Sequence, residues 1–154
     1  MIRMRRSGEP LPWELLLMAD EEVRAIERYI YNCVIFLSVN GEEITGECAV
    51  QKTGHEVAEI MSIAVAPAYR QQGLGRKLLR TAVAWAEKQQ LRYVDIGTAD
   101  TSVIPLAFYR SEGFTDFGIR ENFFAENYTK PVVENGKQCV DMIVLRKRIK
   151  KDPD

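Results

Sequence analysis

The sequence predicts one mixed α/β (α+β) domain over residues 1–154, with a central, mostly antiparallel sheet of six to seven strands flanked by about four helices. Three observations carry this. A chain of 154 residues that is 46% hydrophobic and 28% charged has the size and composition of one globular domain with a full core. Three strand-like runs follow one another over 33–39, 42–51 and 56–66. The first two meet at Asn40-Gly41, a dipeptide that tolerates the positive φ of a tight hairpin. A helical apolar period then begins at Leu74, directly after a glycine-rich turn.

The elements follow in order. Residues 1–6 read as a short strand, ended by Gly8, Pro10 and Pro12, and two helical pieces cover 13–18 and 21–31. The run 56–66 is nearly all apolar and belongs in the middle of the sheet, buried on both faces. In the strand before it, Cys48 falls in step with Ile44, Gly46 and Val50 on one face. Leu74, Leu78, Leu79, Ala82, Val83, Trp85 and Ala86 repeat at helical spacing, while Arg76, Lys77, Arg80 and Lys88 take the other faces, so this helix packs on the sheet. Residues 92–97 form a short strand. Thr101-Ser102 caps a helix that takes Pro105 in its first turn and stops at Gly113. Two further strands, 114–124 and 138–148, close the sheet around a long connection holding Pro131 and Asn135-Gly136. Residues 148–154 read as a frayed tail.

Charge narrows the function classes. Twenty-one Lys and Arg against 22 Asp and Glu give a net charge of -1, so no global basic field recommends a nucleic acid or an anionic membrane. No apolar stretch reaches the length of a spanning helix, and the start of the chain lacks a signal-like apolar segment, so a cytoplasmic protein is expected. Cys33, Cys48 and Cys139 match neither a disulfide framework nor a zinc site, and no metal is expected. A Cys–His nucleophile would have to use His55, the only histidine, which follows Gly54 in a hairpin loop and reads as a solvated turn residue.

The most informative segment is Arg70, Gln71, Gln72, Gly73, Leu74 and Gly75, set between the apolar strand 56–66 and the helix from Leu74. A strand that feeds a glycine-rich turn into a helix leaves unpaired N–H groups at the positive end of the helix dipole, where an anion binds. Gly73 and Gly75 let a bulky phosphate approach the main chain. Arg70, Arg76 and Lys77 oppose the dipole until an anion sits among them. Leu78 stands where a dinucleotide fingerprint needs its third glycine, and Gly75-Arg76-Lys77 is not the Gly-Lys-Ser/Thr of a P-loop. A solvated turn before a helix shares the bare Gly-x-Gly pattern.

Taken with Phe108-Tyr109-Arg110-Ser111-Glu112-Gly113-Phe114, this ordering resembles the GNAT superfamily of acyl-CoA-dependent N-acetyltransferases over nearly the whole chain. Pro12-Trp13-Glu14-Leu15-Leu16-Leu17, Asn122-Phe123-Phe124 and Glu134-Asn135-Gly136 are similar to a small bacterial branch of it. The resemblance implies acetyl-CoA as cosubstrate. Arg70 to Lys77 would hold its pyrophosphate, and Ile63, Ala64 and Val65 would offer main-chain groups to the pantetheine arm, because a bulge in the family's fourth strand splays it from the fifth. Ser102 stands where many relatives carry an Asn that touches the pantetheine chain, and its shorter hydroxyl would reach it through water. Relatives commonly pair, which implies a homodimer.

Acetyl transfer to an amine needs a base for the amine, donors for the carbonyl oxygen and an acid for the departing thiolate. A lysine-like amine has a pKa of about 10.4 and must lose a proton near pH 7. Glu59, a carboxylate inside the apolar run Val57-Ala58-Glu59-Ile60-Met61, is costly to bury without a purpose and resembles the base of histone-type relatives; the plain alternative is a strand carboxylate paired with an Arg. By resemblance Tyr109 is the general acid, and otherwise it is a core aromatic. For the acceptor, Phe123, Phe124 and Tyr128, with Phe117, interleave with Glu121, Asp116, Glu126 and Glu134, a mixture suited to a cationic amine. By resemblance, Trp13, with Glu14, Asp20 and Glu21, is expected to complete the pocket, because the early helices cover the acceptor groove in the family. A polyamine, an aminoglycoside-like sugar, an amino acid or a peptide amine would suit it, and no nucleic acid or membrane partner is expected. A non-catalytic acyl-CoA sensor or an interaction domain is the competing reading.

Overall fold

In the computed structural model, which describes residues 1–150, a seven-stranded sheet runs through the middle of the molecule. The chain begins with β1 (Ile2–Met4), α1 (Trp13–Ala19) and α2 (Val23–Glu27), followed by a 3-10 turn at Ile30–Asn32. The meander β2 (Val34–Asn40), β3 (Glu43–Lys52) and β4 (Val57–Val65) comes next, then α3 (Leu74–Lys88), β5 (Tyr93–Ala99) and α4 (Val103–Ser111). The remaining elements are β6 (Thr115–Arg120), α5 (Phe123–Asn127), β7 (Val133–Glu134), β8 (Lys137–Gln138) and β9 (Met142–Arg148). The sheet order is β1-β2-β3-β4-β5-β9-β6, and β7 with β8 forms a separate hairpin. All pairs are antiparallel except β4 with β5, which are joined through α3.

Both faces of the sheet are covered. On one, α3 lays Leu78, Leu79, Ala82, Val83 and Ala86 of the predicted stripe against Cys48, Val50, Ile60 and Val94, while Trp85 and Leu74, at its margins, are only half-buried. Full burial of each leucine contributes about 1.5–3 kcal/mol. On the other face, Leu16, Ile26, Tyr29 and Ile30 cover Ile35, Leu37 and Ala49.

Of three bulges in the sheet, one leaves Phe117 extra in β6, and the two in the meander correct the simple alternation read from the sequence. Ser38 pairs with Gly46 and Val39 with Ile44, so Thr45 is the extra residue; Ile44 therefore packs with the α1–α2 cluster, on the face opposite Cys48 and Val50. In β4, Ala49 pairs with Ser62 and Val50 with Ile60, leaving Met61 as the extra residue. The β4–β5 ladder stops at the same level, with Ile60 opposite Ile96 as its last pair. Beyond it the strands diverge, as the resemblance implied.

Four boundaries also differ from expectation. The second helical piece is only α2 and the 3-10 turn, because the chain leaves helical geometry near Tyr29 (φ -129°). The predicted strand 114–124 ends at Arg120: Asn122 adopts φ 54° and Phe123 opens α5. The strand predicted over 138–148 splits, Gln138 belonging to the small hairpin and Met142 opening β9. Ser102 precedes α4, but its hydroxyl makes no capping bond. Gly113, at φ 91°, ends that helix as expected. Of the predicted tail, Arg148 pairs with Tyr93 in the sheet and Ile149 donates to the carbonyl of Arg92, while 151–154 lie outside the described residues.

Candidate active site

The split between β4 and β5 opens into a cleft of about 450 Å³, walled by Met61, Ser62 and Ile63 on one side and Gly97, Thr98 and Ala99 on the other. With no β5 partner beyond Ile60, the β5-facing main-chain groups of this part of β4 are free to meet a ligand. This stretch includes Ile63, Ala64 and Val65. The carbonyl of Val65 accepts from Arg70 Nε at 3.0 Å, so Arg70 also fastens the loop to the strand.

That loop leads to α3. Gly73 caps the helix at φ 80° with no side-chain capping bond, and Gln71 is also left-handed at φ 63°. The left-handed turn aims the first N–H groups of a 15-residue helix outward, and nothing in the protein lies within 4 Å of where a Gly73 Cβ would stand. Gly75 meets only Val65, at 3.9 Å. Its lack of a side chain thus serves the open side of the turn and relieves no crowding inside the protein. Gln72, Arg76 and Lys77 are exposed around this mouth; Arg76 reaches Glu112 at 3.3 Å, with Leu74 half-buried beneath. Uncapped N–H groups, empty space before two glycines and flanking cations fit a diphosphate.

Tyr109, on α4, lines the cleft at 8% exposure, its ring braced by Phe108 at 5.5 Å and Phe114 at 6.4 Å. Burial, with Cys48 and Glu47 nearby, raises its phenol well above the ordinary value, so it stays protonated. Ser102 also lines the cleft, but its hydroxyl donates to Glu134 Oε2 at 2.8 Å. That bond puts the hairpin residue Glu134 in the cleft wall.

A second cavity, of about 260 Å³, shares Asp20, Ile60, Met61, Gly97, Tyr128 and Met142 with the first. Glu59 lies in its wall, 7% exposed, and accepts from Arg120 Nη2 at 2.6 Å. The Arg-paired alternative is thus what the structure contains, placed at the cavity. Asp20, at the end of α1, accepts from the hydroxyls of Tyr29, at 3.3 Å, and Tyr128. Burial outweighs those bonds and raises its carboxyl above the usual range. Phe123 lines this cavity, Phe124 the cleft and Tyr128 both.

Several expected acceptor residues lie elsewhere. Trp13 packs with the α1–α2 core and lines neither cavity, and Glu121 and Glu126 are exposed away from both. Asp116 pairs with Arg110 at 2.9 Å, while Phe117 lies under the Arg146 guanidinium at 3.7 Å. For Glu121 and Glu126 the reason is the turn at Asn122, which converts the predicted strand end into α5.

Sequence reading passed over Glu47, Arg28, Tyr29 and Arg120. Arg28 and Arg120 line the second cavity with no local motif to announce them. Glu47 is fully buried, accepts from Ser62 Oγ at 2.6 Å, and leaves its Oε2 without a partner. Burial pushes its carboxyl up to about 7. Its one signal was a charge between Gly46 and Cys48 in an apolar strand.

The thiols carry no nucleophile here. Burial raises all three, Cys33 up to about 12, and His55 is exposed in the β3–β4 turn. Among the described residues, no three or more His, Cys, Asp or Glu side chains gather as metal ligands, and no helix is long and apolar enough to cross a membrane.

A split fourth strand, an anion cradle at a helix start and a buried tyrosine across the cleft define an acyl-CoA-dependent transferase, and the chain belongs to the Acetyltransferase (GNAT) family, whose model matches residues 3–114. It is similar to the uncharacterised N-acetyltransferase YvbK of Bacillus subtilis (strain 168), 32% identical over 133 residues and 86% of each chain. It also resembles the [ribosomal protein bS18]-alanine N-acetyltransferase of Escherichia coli (strain K12), 32% identical over 79% of this chain and 76% of that one. A GNAT family acetyltransferase from Elizabethkingia anophelis, solved with acetyl-CoA bound, superposes with a TM-score of 0.93 at 35% identity over 97% of both chains. The protein is an acetyltransferase with acetyl-CoA as cosubstrate, which decides against the non-catalytic sensor.

Proposed function

We propose that the protein moves the acetyl group to a primary amine of a small molecule or peptide, by direct attack with donor and acceptor bound together. The observation that carries this is the shared wall of the two cavities, which sets an acceptor beside the donor cleft. Acetyl-CoA, when bound, supplies an activated thioester carbonyl. Arg70 to Lys77 hold the diphosphate, and main-chain N–H groups near Ile63 to Val65 are the donors available to the carbonyl oxygen. Glu59 draws the amine and takes its proton as the Arg120 contact loosens. Tyr109, kept protonated by burial, gives its proton to the leaving sulfur. Phe123, Phe124 and Tyr128 present ring faces to the acceptor. The bS18-alanine relative, named for a peptide acceptor, supports an α-amine.

We extend the reading to a homodimer, supported by β6, an exposed sheet edge with Phe117 and Ile119 at 57% and 61% exposure, and to the cytoplasm, supported by three unpaired thiols. The test is amine-stimulated thiol release from acetyl-CoA across an amine panel, with the pH–rate profile of Glu59→Gln alongside. Loss of the acidic limb is expected, with about a hundred-fold drop in kcat/KM. An unchanged limb removes Glu59 from the role of base.

A further inference from the structure

The second cavity carries more than carboxylates. Asp20 and Glu59 line it, but so do the guanidinium-bearing Arg28 and Arg120. From the sequence this region read as rings and acids suited to any cationic amine; folding brings two cations to the same walls. We propose that the acceptor is a zwitterion, a free α-amino acid whose ammonium meets Glu59 and whose carboxylate meets Arg120.

The Glu59–Arg120 pair supplies the main reason. Its two members differ in mobility: the Glu59 side chain is 9% exposed and fixed on a central strand, whereas Arg120 is 47% exposed on the edge strand β6. An incoming ammonium must therefore compete with a guanidinium for Glu59, and the guanidinium is the partner able to move. An amine alone takes the carboxylate and leaves Arg120 without its partner. An amine with an adjacent carboxylate exchanges one ion pair for two and leaves neither side chain unpaired. Arg28 adds positive potential at the same cavity while donating to the carbonyl and the Oδ1 of Asn127 at 3.0 and 3.2 Å. Two guanidiniums repel a polyamine, and the second carboxylate of the cavity, Asp20, is already engaged by the Tyr29 and Tyr128 hydroxyls.

Size and wall chemistry refine the class. A cavity of about 260 Å³ suits one amino acid and is small for an aminoglycoside. Ala25, Met61, Phe123 and Met142 give it an apolar side, so the preferred acid carries an apolar side chain. This inference rests on the acetyl-transfer reading, and the experiment separates the two.

Rates with acetyl-CoA are measured for L-phenylalanine, L-methionine and L-leucine, for the methyl ester of each, for 2-phenylethylamine, for spermidine and for an alanyl peptide. Binding of the free acids to the protein–CoA complex is measured by calorimetry. At least one free acid is expected to exceed its ester and the decarboxylated amine by about ten-fold or more in kcat/KM, the worth of one charge-assisted contact. Arg120→Gln should bring that ratio to within about two-fold, and Arg120→Lys should restore part of it, while coenzyme-induced thermal stabilisation reports that each variant is folded. Equal rates for ester and acid, preference for spermidine or the peptide, an unchanged ratio in Arg120→Gln, or no amino acid binding would each overturn the zwitterion. Coenzyme and amino acid binding without thiol release by any amine would instead overturn acetyl transfer.

Discussion

The donor half and the acceptor half of this site are built differently. Most of the proposed donor contacts come from one stretch of chain within residues 60–77, the end of β4, the loop after it and the start of α3, and Ser102 and Tyr109 join them from the start and body of α4. The acceptor cavity collects Asp20 from the end of α1, Tyr29 from the turn after α2, Glu59 from β4, Arg120 from β6 and Tyr128 from beyond α5. A contiguous site moves as a unit and depends on local backbone geometry. A dispersed one depends on how distant elements pack, and each of its members can be changed without disturbing the cradle.

Single substitutions should therefore separate the halves, and the largest effect is expected where they meet. Tyr109→Phe should lower kcat about 100-fold or more by removing a proton donor, while the thermal shift given by coenzyme A stays near that of the parent; equal loss of both would make Tyr109 a packing residue. Glu47→Gln probes the layer behind the cleft wall, where Glu47 accepts from Ser62. The Glu47 carboxyl is raised from 4.5 to about 7 in the fold, so charging it opposes folding. That penalty is absent below pH 4.5, grows between 4.5 and 7 and is constant above. The variant should gain up to about 3 kcal/mol in denaturant unfolding at pH 8 and nothing near pH 4. A loss at pH 8 would show that the Ser62 bond outweighs the buried charge.

Smaller effects sharpen the division. Asp20→Asn weakens what Tyr29 and Tyr128 hold, and is expected to raise the acceptor KM about ten-fold with coenzyme affinity unchanged, as read by initial rates and calorimetry. Gly73→Ala acts in the opposite sense. At φ 80° a Cβ costs about 1 kcal/mol of folding stability, and it would stand in the open space proposed for the diphosphate, so coenzyme affinity should fall several-fold while acceptor KM holds. If Asp20→Asn changed coenzyme affinity, or Gly73→Ala changed acceptor KM, the halves would be coupled.

The same contrast explains what was legible in the chain. The meander 33–66, the α3 stripe and the Gly113 stop were readable because period, turn chemistry and capping are local. The bulges at Thr45 and Met61 were not: nothing in the residues around either marks it, and only pairing with a neighbour shows which residue is extra. Nor was α5, since Asn122 reverses a segment whose aromatic content suits a strand. Trp13 was assigned to the acceptor by resemblance and Glu121 on composition, whereas packing lines the second cavity with Arg28, Tyr29 and Arg120.

By itself the sequence determined the glycine-rich turn and the helix it opens, because backbone conformation and side-chain spacing act over a few residues, while Tyr109 was picked out by its resemblance to a family motif. Tertiary structure alone decided how β4 parts from β5, that Glu47 is buried with one oxygen unpartnered, and that Glu59 meets Arg120 sixty-one residues away. Such contacts belong to distances in space that no local rule contains, so the chain announces how it binds its donor, and the fold selects what it can accept.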